Sequence, residues 1–541
     1  MSRYYLTTAI DYANGAPHLG HTYEKVVADG MARFQRLMGV DTWFQIGMDE
    51  HGQKVAQTAE KEGVDPQVFC DRMAETYTTV WAAMDISHDA FVRTTDETHM
   101  RGVQHLFAKC HERGDIYQGH YEGLYCVGCE AYYLEKDLVE GLCPVHRTPP
   151  RAVTEENYFF RLSKYAEPLL AHLEAHPGFI EPEIRRNEVL NVIRGGLDDV
   201  SVSRANLAWG VPLPMDPKHT VYVWFDALLN YATGVGLGQE TPSAREKWAR
   251  WWPADCHVIG KDITRFHCII WPAMLMSAGI PLPRSVYAHG WIQSPDGARF
   301  SKSAGNVVDP VLVGRWLREV AGEGLRAEIQ HEPLRYFLMR EVPMGRDGEF
   351  SRQLFVERYN ADLANELGNL LNRGLSMVHR YFGGALDPAG PVGAPEQAIG
   401  ALAAEVIANH RKAMGSWQFS VGLQEAWRLV KAANQYVAET EPWTLAKDPA
   451  NRARLARVLS TVLEALRVTA ALVAPAMPRT AAVIGADLGL AWPSPDALRD
   501  LAWRTDPLPA GHAVGKAVVL FPRVDVSKLE AAAAITESPK S

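Results

Sequence analysis

Residues 3–52 restrict what this chain can fold into more than any other stretch. RYYLTTAI is short, aromatic and β-branched, and reads as a buried strand. Asn14-Gly15 and Pro17 break it. Leu19, Tyr23, Val26, Val27, Met31, Phe34, Leu37 and Met38 then recur at helical spacing, with Gly39 placed as the stop. Thr42 to Met48 is a second apolar run of strand length. Strand, glycine turn, helix, strand is a βαβ unit, so the spacing predicts a doubly wound, parallel-sheet α/β domain of Rossmann type.

The turn lacks GxGxxG, so the dinucleotide fingerprint is absent. His18-Leu19-Gly20-His21 stands at the helix start instead. A helix N-terminus attracts phosphate through its unpaired N–H groups and its dipole. Two imidazoles there add donors, and Gly20 permits close approach of a ligand to the backbone. The alternative is that two histidines merely fall near a helix start. Asp49, in GMDEHG, ends the second strand, at the sheet edge where doubly wound folds bind ligands. It could accept an ammonium there, or equally cap the next helix.

Residues 117–160 change character. Cys126-x2-Cys129 and Cys143-x2-His146 supply four ligands at tetrahedral zinc spacing. With every position filled by protein, such a zinc is structural and can fold a module without a core of its own. Cys70, Cys110, Cys256 and Cys268 lie in apolar segments without partner spacing and read as packing residues. Seven cysteines, sparse and odd in number, fit reduced thiols in a cytoplasmic protein.

Later, VYVWFDALLNY (221–231) reads as a buried strand running into a helix, and HVIGKDITRFHCIIWPAML (257–275) repeats the pattern. The expected organisation is a catalytic α/β domain, first half 1–115, interrupted by a zinc-knuckle module at 116–220 and completed at 221–291. A linking region follows at 292–350, then an all-α helix bundle at 351–528 and a mobile tail at 529–541. Gly383-Gly384 to Pro395 reads as a linker between two bundle helices. No signal-peptide pattern opens the chain and no run has the length of a membrane span. A net charge of −9 argues against indiscriminate nucleic-acid binding and leaves room for a local basic site.

HLGH early and Arg299-Phe300-Ser301-Lys302-Ser303 late resemble the HIGH and KMSKS signatures of class I aminoacyl-tRNA synthetases. Leu19 replaces isoleucine, and Arg299 and Phe300 replace lysine and methionine; Arg299 keeps the charge without the geometry of an ammonium. The ordered set YANGAPHLGH, GMDEHG, the Cys/His pairs, VYVWFDALLNY, IGKDITRFH, RFSKS, NELGNLLNR and TEPWTLAK is narrower, and resembles the bacterial methionyl-tRNA synthetases with one zinc knuckle over essentially the whole chain.

That resemblance implies two reactions: L-methionine and Mg2+-ATP give methionyl-adenylate, and the methionyl group passes to the terminal adenosine of methionine tRNA. It implies His18, Gly20, His21, Asp262, Ser301, Lys302 and Ser303 at ATP, with His18, His21 and Lys302 as catalytic donors. It implies Asp49 on the substrate ammonium, and Ala9, Ile10, Tyr12, Trp224, Ala227, Leu228, Tyr231, Ile263 and His267 around the methionine side chain. Leu228 stands where some relatives have proline. Read alone, Trp224 and Tyr231 would be core aromatics. Asn369, Arg373 and Trp443 match the family's anticodon readers; read alone they would be a polar face and a helix-end tryptophan.

Leucine, isoleucine and valine synthetases typically carry an editing insertion for which 116–220 leaves too little room. Cysteine synthetases bind substrate through an open zinc position. A non-catalytic tRNA-binding relative would not need intact HLGH, Asp49 and SKS, and a small-cofactor nucleotidyltransferase would not need the helical half. The chain lacks the C-terminal OB-type module by which some relatives dimerise, so a monomer is expected.

Overall fold

A computed structural model describes residues 2–126, 131–133, 135, 138–144, 147–205, 207–297, 300, 308–322, 324–492, 496–505, 509–516 and 519–528. Its centre is a seven-stranded sheet: β1 (Arg3–Thr8), β2 (Asp11–Tyr12), β3 (Asp41–Asp49), β4 (Ala90–Arg93), β5 (Ile180–Glu181), β6 (Cys256–Gly260) and β7 (Val286–His289). Every pairing in it is parallel, in the order β2-β3-β1-β6-β7-β5, with β4 also on β3. Helix α1 (Leu19–Leu37) crosses from β2 to β3 and ends, as its glycine predicts, before Gly39 at φ 75°. β1 has β3 on one side and β6 on the other. The crevice beyond their carboxyl ends is therefore the switch point where open α/β sheets take ligands.

Register shows a feature that periodicity does not. Thr7 faces Gln45, whereas Asp11 faces Met48, so the first strand carries one extra residue against β3. This bulge turns Ala9 and Ile10 out of the regular ladder. Gly47 makes room for it: a Cβ there would lie 2.8 Å from Ile10 Cγ2 and 2.3 Å from the Val92 carbonyl oxygen.

Three expectations change. The sequence of residues 53–115 predicts helices, and Ala90–Arg93 within it is a sheet strand instead. In 221–231 only Val221 belongs to a strand, Thr220–Val221, which pairs antiparallel with Ser203–Arg204 outside the large sheet; most of the rest lies in two short helices, Val223–Ala227 and Asn230–Thr233. A buried apolar run does not by itself distinguish strand from helix. The last α-helix of the bundle ends at Asp487, and beyond it only a 3-10 turn, Val526–Lys528, is helical among the described residues. Among the described residues beyond it, Leu498, Leu520, Phe521 and Val524 pack back as buried loop residues, and Asn360 exchanges two hydrogen bonds of 2.9 Å with the Val524 backbone.

The inserted stretch folds as a four-stranded antiparallel sheet around Ile116–Cys126 and Arg151–Phe160, and it also lends β5 to the large sheet. In the bundle, helix Arg452–Val473 is buried at every position from Leu455 onward. Its polar residues are paired, as burial requires: Arg467 clasps Glu464 through two 2.7 Å bonds. Fully buried Arg335 ties the halves together, donating to Asp29 of α1 at 2.6 Å and to the Ala476 carbonyl of the bundle at 2.9 Å.

Candidate active site

His18 is the N-cap of α1. Its Nδ1 accepts from the Gly20 N–H at 3.1 Å, and His21 Nδ1 accepts from the His18 N–H at 3.2 Å. Each ring thus carries its hydrogen on Nε2, as a donor. The rings stack with centroids 3.9 Å apart. A Cβ on Gly20 would sit 2.9 Å from His18 Cε1, so the glycine admits the ring over the helix end. Asp262 follows β6 across the crevice, exposed, and accepts from Trp291 Nε1 at 3.3 Å.

Asp49 ends β3 and is buried. It does not cap the next helix, Gln53–Glu62, whose N-cap is Gly52. Tyr12 is its ladder partner, and the Ala13 N–H donates to its carbonyl at 2.9 Å. Ala9, Tyr12, Trp224 and Ile263 pack on one hydrophobic cluster that includes Leu228 and Tyr231. Trp224 stacks on Phe266 at 3.8 Å. His267 lies on a single π-helical turn, Phe266–Ile270. Its Nδ1 bonds the Ile263 carbonyl at 3.0 Å, which only accepts, so Nδ1 carries the hydrogen and Nε2 accepts from the Tyr231 hydroxyl at 2.6 Å. Burial pushes the His267 imidazole down to about 4 and the Tyr231 phenol well above its ordinary value. Both are therefore neutral at pH 7.

Several residues that shape this site carry no motif. Buried Lys25 donates to the Ala9 carbonyl at 2.9 Å, Asp11 Oδ1 at 3.1 Å and Glu24 Oε1 at 2.8 Å, fastening both ends of the bulge. Burial pushes the Asp11 carboxyl up to about 7, against the pull of Lys25. Glu24 Oε2 lies 3.1 Å from His289 Nε2 at the end of β7. Burial alone would raise Glu24; Lys25 and His289 outweigh it and hold the carboxyl below its ordinary value. The signal available in the sequence is a Glu-Lys pair on the buried face of an apolar helix, where charges need partners. Asp226, a lone carboxylate in an apolar run, is a second such signal.

Ser301, Lys302 and Ser303, like Arg299, lie outside the described residues. Phe300, just before them, packs edge-on to Phe350 at 6.4 Å. Cys129 and His146 also lie outside. Of their partners, Cys126 ends strand Ile116–Cys126, and both Cys126 and Cys143 are buried. The Cys143 carbonyl accepts from the Arg147 N–H at 2.8 Å, and the Cys143 N–H donates to the Thr148 carbonyl at 2.9 Å. Among the described residues, no group of three or more potential ligands forms a metal site. Cys70, Cys110, Cys256 and Cys268 are buried, and burial raises each thiol, Cys110 and Cys256 to about 12.

Asn369 and Arg373 lie on helix Asn369–Phe382, remote in sequence from the crevice, after a π-helical stretch, Tyr359–Gly368. The Arg373 guanidinium is 5.9 Å from the Trp443 ring centre, and Trp443 is 42% exposed. It is not a core tryptophan.

Residues 4–152 and 145–375 match the family described as tRNA synthetases class I (M), and residues 387–534 match the anticodon binding domain of methionyl tRNA ligase. The methionine–tRNA ligase of Caldanaerobacter subterraneus is 46% identical over 97% of this chain and 79% of its own length. That of Streptomyces coelicolor is 45% identical over 96% of this chain and 97% of its own. The solved structure of Mycobacterium tuberculosis methionyl-tRNA synthetase in complex with methionyl-adenylate superposes with a TM-score of 0.89 at 42% identity, covering 97% of this chain and all of that one. With both domain families matched and full-length relatives at this identity, the chain belongs to the methionyl-tRNA synthetases of class I.

Proposed function

We propose that the chain activates L-methionine with ATP to methionyl-adenylate and passes the methionyl group to the 3′-terminal adenosine of methionine tRNA. The observation that carries this reading is the neutral Tyr231–His267 pair set among Trp224, Leu228 and the Ala9–Ile10 bulge. An aromatic, uncharged wall suits a thioether, because sulfur–aromatic contacts are favourable. Asp49 at the opposite end suits the ammonium.

In activation the methionine carboxylate attacks the α-phosphorus and the bond to pyrophosphate breaks. The residues' task is positioning and charge stabilisation. His18 and His21 offer Nε2–H donors to the departing pyrophosphate, and Lys302 offers an ammonium. Asp262 and Glu24, on either side of the crevice, are acceptors suited to ribose hydroxyls. Mg2+ accompanies ATP and offsets phosphate charge. Cys126, Cys129, Cys143 and His146 would hold one structural zinc. Burial of the two described thiols supports that set. Asn369, Arg373 and Trp443 would read the anticodon by stacking and base-edge hydrogen bonds. Among the described residues no helix is long and apolar enough to cross a membrane. We read the protein as a cytoplasmic monomer.

ATP–pyrophosphate exchange with a panel of amino acids is the test. Exchange should depend on methionine and be near background with leucine, isoleucine, valine and cysteine. Exchange with another of these in preference would overturn the assignment.

A further inference from the structure

The wall from Val223 to Thr233 is built on two helical pieces of five and four residues, neither with a side-chain N-cap. Helices this short have no stability of their own in water. Their position must come from what they are fastened to. Trp224, Ala227, Leu228 and Tyr231, spaced i, i+3, i+4 and i+7, share the face of the wall assigned to methionine. Asp226, Asn230 and Thr233 fall on the other side, and each is tied to another element of the domain, Asp226 and Thr233 both to His99. Asp226 Oδ2 accepts from His51 Nδ1 at 2.6 Å and its Oδ1 from His99 Nε2 at 2.8 Å. Gln45 Nε2 of β3 donates to the Asn230 carbonyl at 2.9 Å. Thr233 Oγ1 lies 2.8 Å from His99 Nδ1.

Asp226 is fully buried, and His51 and His99 nearly so. A carboxylate at that depth is costly unless both oxygens are bonded, and an apolar residue would serve packing alone. What the carboxylate adds is direction. His51 lies two residues beyond Asp49, and the same turn is also held by Trp209, whose Nε1 donates to the Glu50 carbonyl at 2.6 Å and whose ring packs edge-on to His51. His99 comes from helix Glu97–Glu112. One side chain thus joins the ammonium end of the pocket, the thioether wall and the helix behind them.

We infer that Asp226 is a positioning residue for amino-acid selection: bridging His51 and His99, it fixes the distance between Asp49 and the wall that meets the methionine side chain. The inference rests on the pocket assignment proposed above. Loosening the bridge enlarges the pocket along the side-chain axis. Longer substrates gain relative to methionine, while ATP, bound across the crevice, is little affected.

The experiment is ATP–pyrophosphate exchange by wild type, Asp226→Asn and Asp226→Ala, with methionine and with ethionine, one carbon longer. A methylene in a pocket is discriminated about tenfold or more. Asp226→Ala should raise the methionine KM about tenfold, leave the ATP KM within about twofold, and shift the ethionine-to-methionine ratio of kcat/KM upward about tenfold. Asp226→Asn, which keeps one acceptor oxygen, should fall between. Should Asp226→Ala prove unfolded, His51→Ala, which leaves the His99 bond, carries the same criterion. Folded variants with an unchanged substrate ratio would overturn the inference. If wild type itself fails to activate methionine, the pocket assignment fails first, and that outcome is read separately in the same plate.

Discussion

Tyr231 donates its phenolic hydrogen to His267 Nε2, and the Ile263 carbonyl on the other side of the ring fixes which nitrogen can accept. The pair is neutral and oriented on the wall proposed to meet the methionine side chain. Both side chains are 1–2% exposed, so neither bond can be replaced by water. Tyr231→Phe leaves a buried imidazole nitrogen without its donor, which costs about 1–3 kcal/mol. We expect the methionine KM in the exchange reaction to rise about tenfold or more on that scale, with the ATP KM nearly unchanged. Equal rises in both would mean that Tyr231 holds the domain together rather than the pocket.

The same burial makes stability depend on pH. His267 and His410 are each pushed down to about 4 by burial, and burial also lowers His257 well below its ordinary value. Below the ordinary histidine value the unfolded chain binds protons that the folded chain refuses. Their contribution is therefore complete above about 6.5 and is lost as pH falls toward about 4, where the loss amounts to about 3 kcal/mol for a residue such as His267. Asp29 adds loss of the same sign at lower pH: burial alone would raise it, but Arg33 and Arg335 outweigh that and hold it well below the ordinary carboxylate range. Thermal melts should show Tm falling between pH 7 and pH 5. His410→Gln, in the bundle, should flatten that slope. An unchanged slope would show that His410 is not buried in the neutral form.

How far the sequence reaches is visible in particular elements. The βαβ opening, the helix stop at Gly39 and the Gly383-to-Pro395 link between two bundle helices follow from periodicity and turn residues, which are local. The strand Ala90–Arg93 and the one-residue bulge at Ala9–Ile10 do not, because register is set by a partner far away in the chain. At the site, His18, His21 and Asp49 stand at element ends, where backbone chemistry announces a ligand. Lys25, Glu24, Asp226 and His289 are legible only as charges in apolar surroundings. Their partners come from elements up to 265 positions apart, as in the His289–Glu24 contact, and no local pattern connects them.

The zinc assignment predicts close to one metal atom per chain by elemental analysis. Cys129→Ala should lose it and destabilise residues 116–160 first, seen as early proteolysis there while the large sheet persists. Because the proposed zinc is structural, methionine affinity in exchange should change far less than module stability. Full activity in metal-free protein after dialysis against chelator would rule the site out.

Lys302 is assigned to charge that develops as pyrophosphate departs. Lys302→Ala should slow adenylate formation by roughly 10² to 10³, the scale for removing one oriented donor, and leave methionine affinity nearly unchanged. Single-turnover measurements separate the two. A matched loss in methionine binding and rate would place the lysine in ground-state binding instead.

Recognition of tRNA by a chain of net charge −9 cannot rest on bulk attraction to phosphate, so it needs a local site. Trp443 is 42% exposed on a four-residue helix opened by Pro442, and Arg373 holds its guanidinium 5.9 Å from the ring centre. An exposed indole backed by a cation is a stacking platform, and a stacked base is worth about 1–3 kcal/mol. Trp443→Ala should therefore raise the tRNA KM or depress charging strongly, by roughly 5- to 150-fold on that energy scale. Exchange, which needs no tRNA, should stay near wild type. Arg373→Ala should behave likewise, and wild type should charge an anticodon-altered tRNA about as poorly as the variants charge the native one. Aminoacylation and exchange measured side by side decide the matter. If both fall together in Trp443→Ala, the indole supports the fold of the bundle, and the anticodon site lies elsewhere on it.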